Sequence, residues 1–209
     1  MLGMIVQDSY GERVALKRFD PDRALDRAID AFWLEGYEAT SAEDLVRAMG
    51  INRGSLYATF GSKAELYRRA LERYASRTCG ELRAGLEADG PVLPALRAAL
   101  HEQARELASD PQRRGCLLTN ACSEGAAQDP VVGAVVREAL DETRALLAAT
   151  ISRGQSSGEL PSCAGPDELA DLVLTTMHGL RVLARAGQDL PRLLASVELT
   201  LVLLRSDAC

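Results

Sequence analysis

The chain has 209 residues, 47% of them hydrophobic and 26% charged, with 24 Lys+Arg against 30 Asp+Glu. That length and balance suit a soluble globular protein of one large domain or a small domain joined to a larger one, and a net charge of −6 argues against polyanion binding over the whole surface. No apolar run is long enough to span a membrane and no leader-like pattern opens the chain, so cytoplasmic residence without membrane contact is the expectation.

Ala, Leu, Arg and Glu dominate, and apolar residues recur with helical spacing nearly throughout, which predicts an all-α protein of about nine helices. Residues 1–18 precede the first start signal and read as a mobile arm. Its Arg13, Lys17 and Arg18 suit either minor-groove and phosphate contact or plain solvation beside Asp8 and Glu12. Asp20-Pro21 then opens a first helix with Leu25, Ile29, Phe32 and Trp33 on one face, and Gly36 stops it. Thr40-Ser41 ahead of Glu43-Asp44 has the form of a capping box for a second, two-turn helix that ends at Gly50. Asn52 caps a third short helix holding Leu56 and Phe60, and after Gly61-Ser62 a long helix follows with Leu66, Ala70, Leu71 and Tyr74. Short helix, glycine turn, short helix is the helix-turn-helix arrangement, although that spacing alone also fits a small helical bundle.

Further helices are predicted from Pro91 and Pro94 to Leu107, from Gly115 to Glu124, from Pro130 to Arg153, from Pro166 to Ala186 and from Leu190 to Leu204. The last two are apolar on more than one face. Their own domain covers one side, and a second subunit is the simplest cover for the other.

Charge is not spread evenly. Residues 1–76 hold 11 basic and 12 acidic side chains, and residues 77–209 hold 13 and 18. From Leu45 to Ala64 there is no carboxylate, while Arg47, Arg53 and Lys63 are present. A surface facing phosphates needs that pattern, because each nearby carboxylate would repel the backbone.

Phe19 to Tyr74 closely resembles the DNA-binding domain of the TetR/AcrR family of bacterial transcriptional repressors. The markers are Phe32, Gly36-Tyr37, Thr40, Gly50, Leu56-Tyr57, Phe60, Lys63 and Leu66. The remainder, with RGCLLTNACSE and MHGLRVLARAG, is similar to the sensing and dimerising half of one branch of that family. The resemblance implies three parts: the arm at 1–18, a helix-turn-helix domain at 19–76 whose linking helix begins near 62, and a ligand-sensing and dimerisation domain at 77–209. It also implies a homodimer that sets one recognition helix per subunit into the major groove of a palindromic operator, and a small effector that releases DNA.

On that footing the DNA-binding candidates are Thr40, Ser41, Ala42, Asn52, Arg53, Gly54, Ser55, Tyr57, Ala58, Thr59 and Lys63. Amides at the starts of the second and third helices favour phosphate oxygens, and Gly54 allows close approach. Ser55 and Thr59 suit base edges, and Arg53 reaches either a guanine edge or a phosphate. By resemblance Tyr57 and Lys63 hold phosphates, and Ala58 departs from the larger residue often found there. Leu56 and Phe60 read as core.

Leu117, Asn120, Met177, His178 and Arg181 are the candidate effector contacts, a mixture of apolar and a few polar groups. His178 reads first as a satisfied, partly buried histidine and second as a ligand contact, and His101 reads as surface. Arg181 suits an anionic ligand or an acidic neighbour. The five cysteines form no CxxC or Cys/His cluster, so neither a disulfide framework, a metal site nor a cofactor is expected. They read as small buried hydrophobes, with Cys116, Cys122 and Cys163 as candidate sensors of oxidants or soft metals and Cys163 as the most exposed thiol. Two other classes fit an all-α chain. An α-helical bundle enzyme lacks any nucleophile–base pair or phosphate loop, and a DNA-independent helical adaptor would lack the basic face.

Overall fold

The computed structural model describes residues 19–205, so the expected arm and Cys209 lie outside them. The described residues form nine α-helices and no strand: α1 (Pro21–Glu35), α2 (Ala42–Met49), α3 (Arg53–Phe60), α4 (Lys63–Leu86), α5 (Val92–Ser109), α6 (Leu117–Ser123), α7 (Pro130–Ser156), α8 (Pro166–Arg185) and α9 (Leu190–Leu204). A 3-10 turn at Ala126–Gln128 joins α6 to α7.

The short helices start where side chains cap them. Asp20 accepts the Asp22 amide at 2.9 Å ahead of Pro21. At α2 the capping box is complete: Asp44 N donates to Ser41 Oγ at 3.2 Å, and Ser41 N donates to the Asp44 carboxylate at 3.0 Å. Asn52 accepts from Ser55 N at 2.7 Å, and Ser62 from Glu65 N at 3.0 Å. Each such cap contributes about 1 kcal/mol. Gly50 ends α2 at φ 68°, in the left-handed region, and a Cβ there would stand 2.9 Å from Arg27 Nη1. The same Arg27 Nη1 donates to the Met49 carbonyl at 3.2 Å, tying α1 to the turn between α2 and α3.

Two apolar cores organise the helices. In the first, Ile29, Phe32, Leu45, Met49, Leu56, Phe60, Leu66 and Leu71 pack with Leu117 and Leu118 of α6 and Val132 and Val136 of α7. The Tyr67 ring packs edge-on to Phe32 and tilted against Tyr37, with centroids 4.9 and 4.7 Å away. The second gathers Leu86, Leu96, Leu100, Leu147, Ile151, Val173, Leu180, Leu193, Val197 and Leu201. The partition expected after residue 76 falls inside α4, which runs unbroken through it. The helix α6, predicted within the second half, packs into the core of α1–α4.

The outermost helices keep an apolar outer face. Leu199, Val202 and Leu203 of α9 and Val182 and Leu183 of α8 are exposed, whereas Leu201 is fully buried.

Candidate nucleic-acid interface and effector cavity

The helix α3 has two sides. Leu56 and Phe60 are buried, as expected of core, and Ile51 packs with them. Asn52, Arg53, Gly54, Tyr57 and Ala58 are exposed, with Ser55 and Thr59 half-buried beside them. These residues share one outward face beside the start of α2, where Ser41 is exposed and Ala42 half-buried. The first-turn amides of both helices have no acceptor within their own helix, save those the caps satisfy. Thr40 stands apart from this face. It is buried, and its hydroxyl donates to the Gly36 carbonyl at 2.6 Å, so its side chain shapes the entry to α2 and does not project outward. The Asn52 side-chain oxygen is likewise engaged, in capping α3.

Folding alters the charge pattern seen in the sequence. Arg53 Nη1 donates to Glu43 Oε1 at 2.6 Å, between two exposed side chains ten residues apart. The acid-free window is therefore not acid-free in space. Each carboxylate at its edges is tied to an arginine: Glu43 to Arg53, Asp44 to Arg47 at 3.3 Å, and Glu65 to Arg68 and Arg69 at 2.6 and 3.0 Å. Hydrogen bonds from Arg68 and then Arg69 hold Glu65 down to about 2. Exposed pairs of this kind contribute at most about 1 kcal/mol each, and phosphates readily compete for their arginines. Arg53 also lies 5.8 Å from the Tyr57 ring centroid, and Lys63 Nζ lies 4.3 Å above the Tyr37 ring, at the start of α4.

Between α4, α5, α7 and α8 lies a cavity of about 1140 Å³. Met177, His178 and Arg181 line it, as three positions on one helix face would. The other two candidates do not. Leu117 is buried in the first core. Asn120 lines a smaller neighbouring cavity of about 430 Å³, and its amide donates to the Arg114 carbonyl at 2.9 Å, which braces the loop before α6. The residues that complete the larger cavity come from elsewhere in the chain. Trp33 of α1 lies edge-on to Tyr74 at 5.0 Å, and the Arg114 guanidinium stands 4.3 Å over its indole. Only contacts formed on folding reveal these groups, since Trp33 reads in sequence as the apolar face of a helix. The His178 Nδ1 lies 3.1 Å from the Thr119 hydroxyl, and burial, followed by the charge of Arg181, lowers the histidine to about 4. His101, expected at the surface, is half-buried and hydrogen-bonded to Glu198 at 2.6 Å, which ties α5 to α9.

The three candidate sensor cysteines are separated. Cys116 is buried at the start of α6, where the Thr119 amide and the Tyr74 hydroxyl donate to its sulfur. Burial raises the thiol, but the Arg181 charge and these hydrogen bonds outweigh it and lower the group. Cys122 is exposed, and its thiol is raised by partial burial and by Cys116. Cys163 is exposed, as expected, but it is disulfide-bonded, which corrects its reading as a thiol. Among the described residues no three of His, Cys, Asp and Glu are grouped to hold a metal ion, and no helix is long and apolar enough to cross a membrane.

Known proteins share both halves of this arrangement. Residues 24–70 match the family of bacterial regulatory proteins called the tetR family, and residues 92–197 match the tetracyclin repressor-like C-terminal domain. The HTH-type transcriptional repressor ComR of Escherichia coli K12 is 31% identical over 88% of this chain and 89% of its own. YezE of Bacillus subtilis 168, an HTH-type transcriptional regulator, is 30% identical over 90% of this chain and 97% of its own. Among solved structures, the TetR family regulator CifR, as a cysteine mutant on 26-base-pair operator DNA, superposes with a TM-score of 0.81. It is 34% identical and covers 90% of this chain and 98% of its own. The outward face of α3 thus sits in the fold of an operator-binding relative, over nearly the whole length of both chains. The chain belongs to the TetR family of bacterial transcriptional regulators.

Proposed function

We propose that this regulator is a cytoplasmic repressor that binds a palindromic operator as a homodimer and is released by a small effector. The outward face of α3 carries this reading: Arg53, Ser55, Tyr57 and Thr59 lie outside the buried side that Leu56 and Phe60 form. Residues 19–76 form the reading unit. Ser55 and Thr59 contact base edges, Tyr57 and Lys63 hold phosphates with the amides of Ala42 and Gly54, and Arg53 exchanges Glu43 for DNA. Residues 77–209 bind the effector and the second subunit. The exposed Val182, Leu183, Leu199, Val202 and Leu203 form the face that a second copy covers, giving a four-helix interface.

Effector binding couples to the reading unit through two joints. Arg114 borders the cavity and reaches Asp30 of α1 at 3.6 Å. Glu124, at the end of α6, sits so close to Gly36 that a Cβ there would lie 2.5 Å from its carboxylate. A ligand that displaces α6 or α8 moves these joints and with them the spacing of the two recognition helices.

The test is a mobility shift with inverted repeats from the DNA upstream of the gene in its source genome. Nanomolar, salt-sensitive binding to one repeat and weak binding to its scrambled form are expected. Equal affinity for both, or none for either, would refute the operator reading.

A further inference from the structure

Five arginines line the large cavity: Arg77, Arg97, Arg105, Arg114 and Arg181. Three are already matched by carboxylates. Arg97 pairs with Glu198 at 3.0 Å, Arg105 with Glu102 at 3.4 Å, and Arg114 with Asp110 at 3.1 Å and Asp30 at 3.6 Å. Arg77 is exposed to solvent. Arg181 is half-buried, and among the described residues no carboxylate oxygen comes within 4.0 Å of it.

A neutral group holds Arg181 in place. With the Gln103 amide turned so that its oxygen, not its nitrogen, faces the guanidinium, as the facing donors require, Nε and Nη2 donate to that oxygen at 2.9 and 3.1 Å, and Nη1 lies 3.4 Å from His178 Nδ1. One oxygen thus takes both donors of the guanidinium edge, which is the edge a carboxylate grips with two oxygens. Its charge also acts on two weak acids, the Cys116 thiol and the Tyr74 phenol. Burial holds His178 neutral, so Arg181 is the one cation of the pair. The rest of the lining includes an apolar body, Trp33, Leu82, Leu107, Leu118, Leu140 and Met177, and the exposed carboxylates of Glu81 and Glu106. The Trp33 indole Nε1 is itself buried without a hydrogen-bond partner.

We propose that the effector is an organic carboxylate. Its carboxylate displaces Gln103 from the Nε and Nη2 edge of Arg181, and its apolar body lies against Trp33, Leu107 and Met177. The inference rests on reading this cavity as the effector site. A charge-assisted bidentate contact to a half-buried guanidinium is what makes an acid preferred over its neutral analogue.

The chain's single tryptophan lies in the cavity wall, so its emission reports occupancy. The full-length protein is titrated with octanoate and octanamide, and with 1-naphthoate and 1-naphthamide, following emission for the first pair and heat for both. Each acid is expected to bind at least about tenfold tighter than its amide. Arg181→Gln brings that ratio near one while the amides still bind, Arg181→Lys keeps part of the preference, and Gln103→Ala keeps or increases it. Equal binding of acids and amides by the parent protein would overturn the carboxylate inference and leave the cavity reading standing. A preference that survives Arg181→Gln would overturn the role of Arg181. Failure of all four probes to bind would overturn the cavity reading and the inference with it.

Discussion

The reading head and the cavity differ in how far apart in sequence their parts lie. At the starts of α2, α3 and α4, Ser41 works with Asp44, Asn52 with Ser55, and Ser62 with Glu65, each three residues away. The cavity instead gathers Trp33, Tyr74, Gln103, Arg114 and Arg181 from five segments of the chain. Local chemistry sets up the first, so its surface exists as soon as three short helices form. The second exists only once α1, α4, α5 and α8 have packed. The same division separates the roles proposed for the two regions: a fixed, exposed helix to present side chains to DNA, and a packed hollow to admit a small molecule and pass its effect inward through Arg114 and Glu124.

The sharpest way to break this comparison is to strip the reading head and leave the cavity intact. Replacing Arg53, Ser55, Tyr57 and Thr59 together by alanine removes outward groups only, since none of them is buried. At roughly 1–3 kcal/mol for each lost base contact, operator affinity should fall at least about 100-fold. Thermal stability, dimer mass and acid binding in the cavity should stay near parental. A variant that still binds the operator at parental affinity in a mobility shift would show that α3 is not the reading surface.

What the sequence made legible follows the same line. The boundaries of α2 and α3 could be read because Ser41, Gly50 and Asn52 each act on their nearest neighbours. Met177, His178 and Arg181 could be placed together because helical spacing puts them on one face. The partnership of Arg53 with Glu43 could not be read, because it depends on the crossing of α2 and α3. Nor could the displacement of Asn120 and Leu117 from the cavity wall, which follows from how α6 packs into the first core. The apolar last helix was legible as a face needing cover, but which of its leucines point outward was not.

That last point gives a pair of variants with opposite outcomes. Leu199 and Val202 are exposed on α9, so Leu199→Glu with Val202→Glu should leave the subunit folded and shift it from dimer to monomer in light scattering. Leu201 lies in the second core, so Leu201→Glu places an unpaired carboxylate in an apolar interior. It should cost several kcal/mol and lower the melting temperature before it tells anything about assembly. A dimer that survives the double variant would move the interface away from α9.

Within the cavity half, His178 links stability to pH. Its folded value of about 4 lies below the unfolded value near 6.5, so the unfolded chain binds the proton more readily between the two. Stability conferred by the neutral histidine is full above about pH 6.5 and is lost as pH falls towards 4, by at most about 3 kcal/mol. His178→Gln should flatten the decline in melting temperature over that window and leave DNA affinity at pH 7.5 unchanged. An identical decline in the variant would mean that other groups carry the acid sensitivity.

The smallest effect returns to the reading head, where one local surface has a partner from outside its own helix. Glu43 neutralises Arg53 at 2.6 Å, with both side chains exposed. Breaking that pair costs little stability, because exposed ion pairs contribute at most about 1 kcal/mol. Its effect on DNA is of the opposite sign. Glu43→Gln removes a carboxylate that a phosphate backbone repels and leaves Arg53 free to reach the duplex without first giving up a partner. Operator affinity should rise about two- to fivefold, and the slope of log affinity against log salt should steepen by up to about one unit, since Arg53 then adds its charge in full. Arg53→Ala in the Glu43→Gln background should cancel the gain, because the two changes act through one contact. If Glu43→Gln weakens operator binding, the pair is positioning Arg53 for the DNA, and the carboxylate belongs to the reading surface.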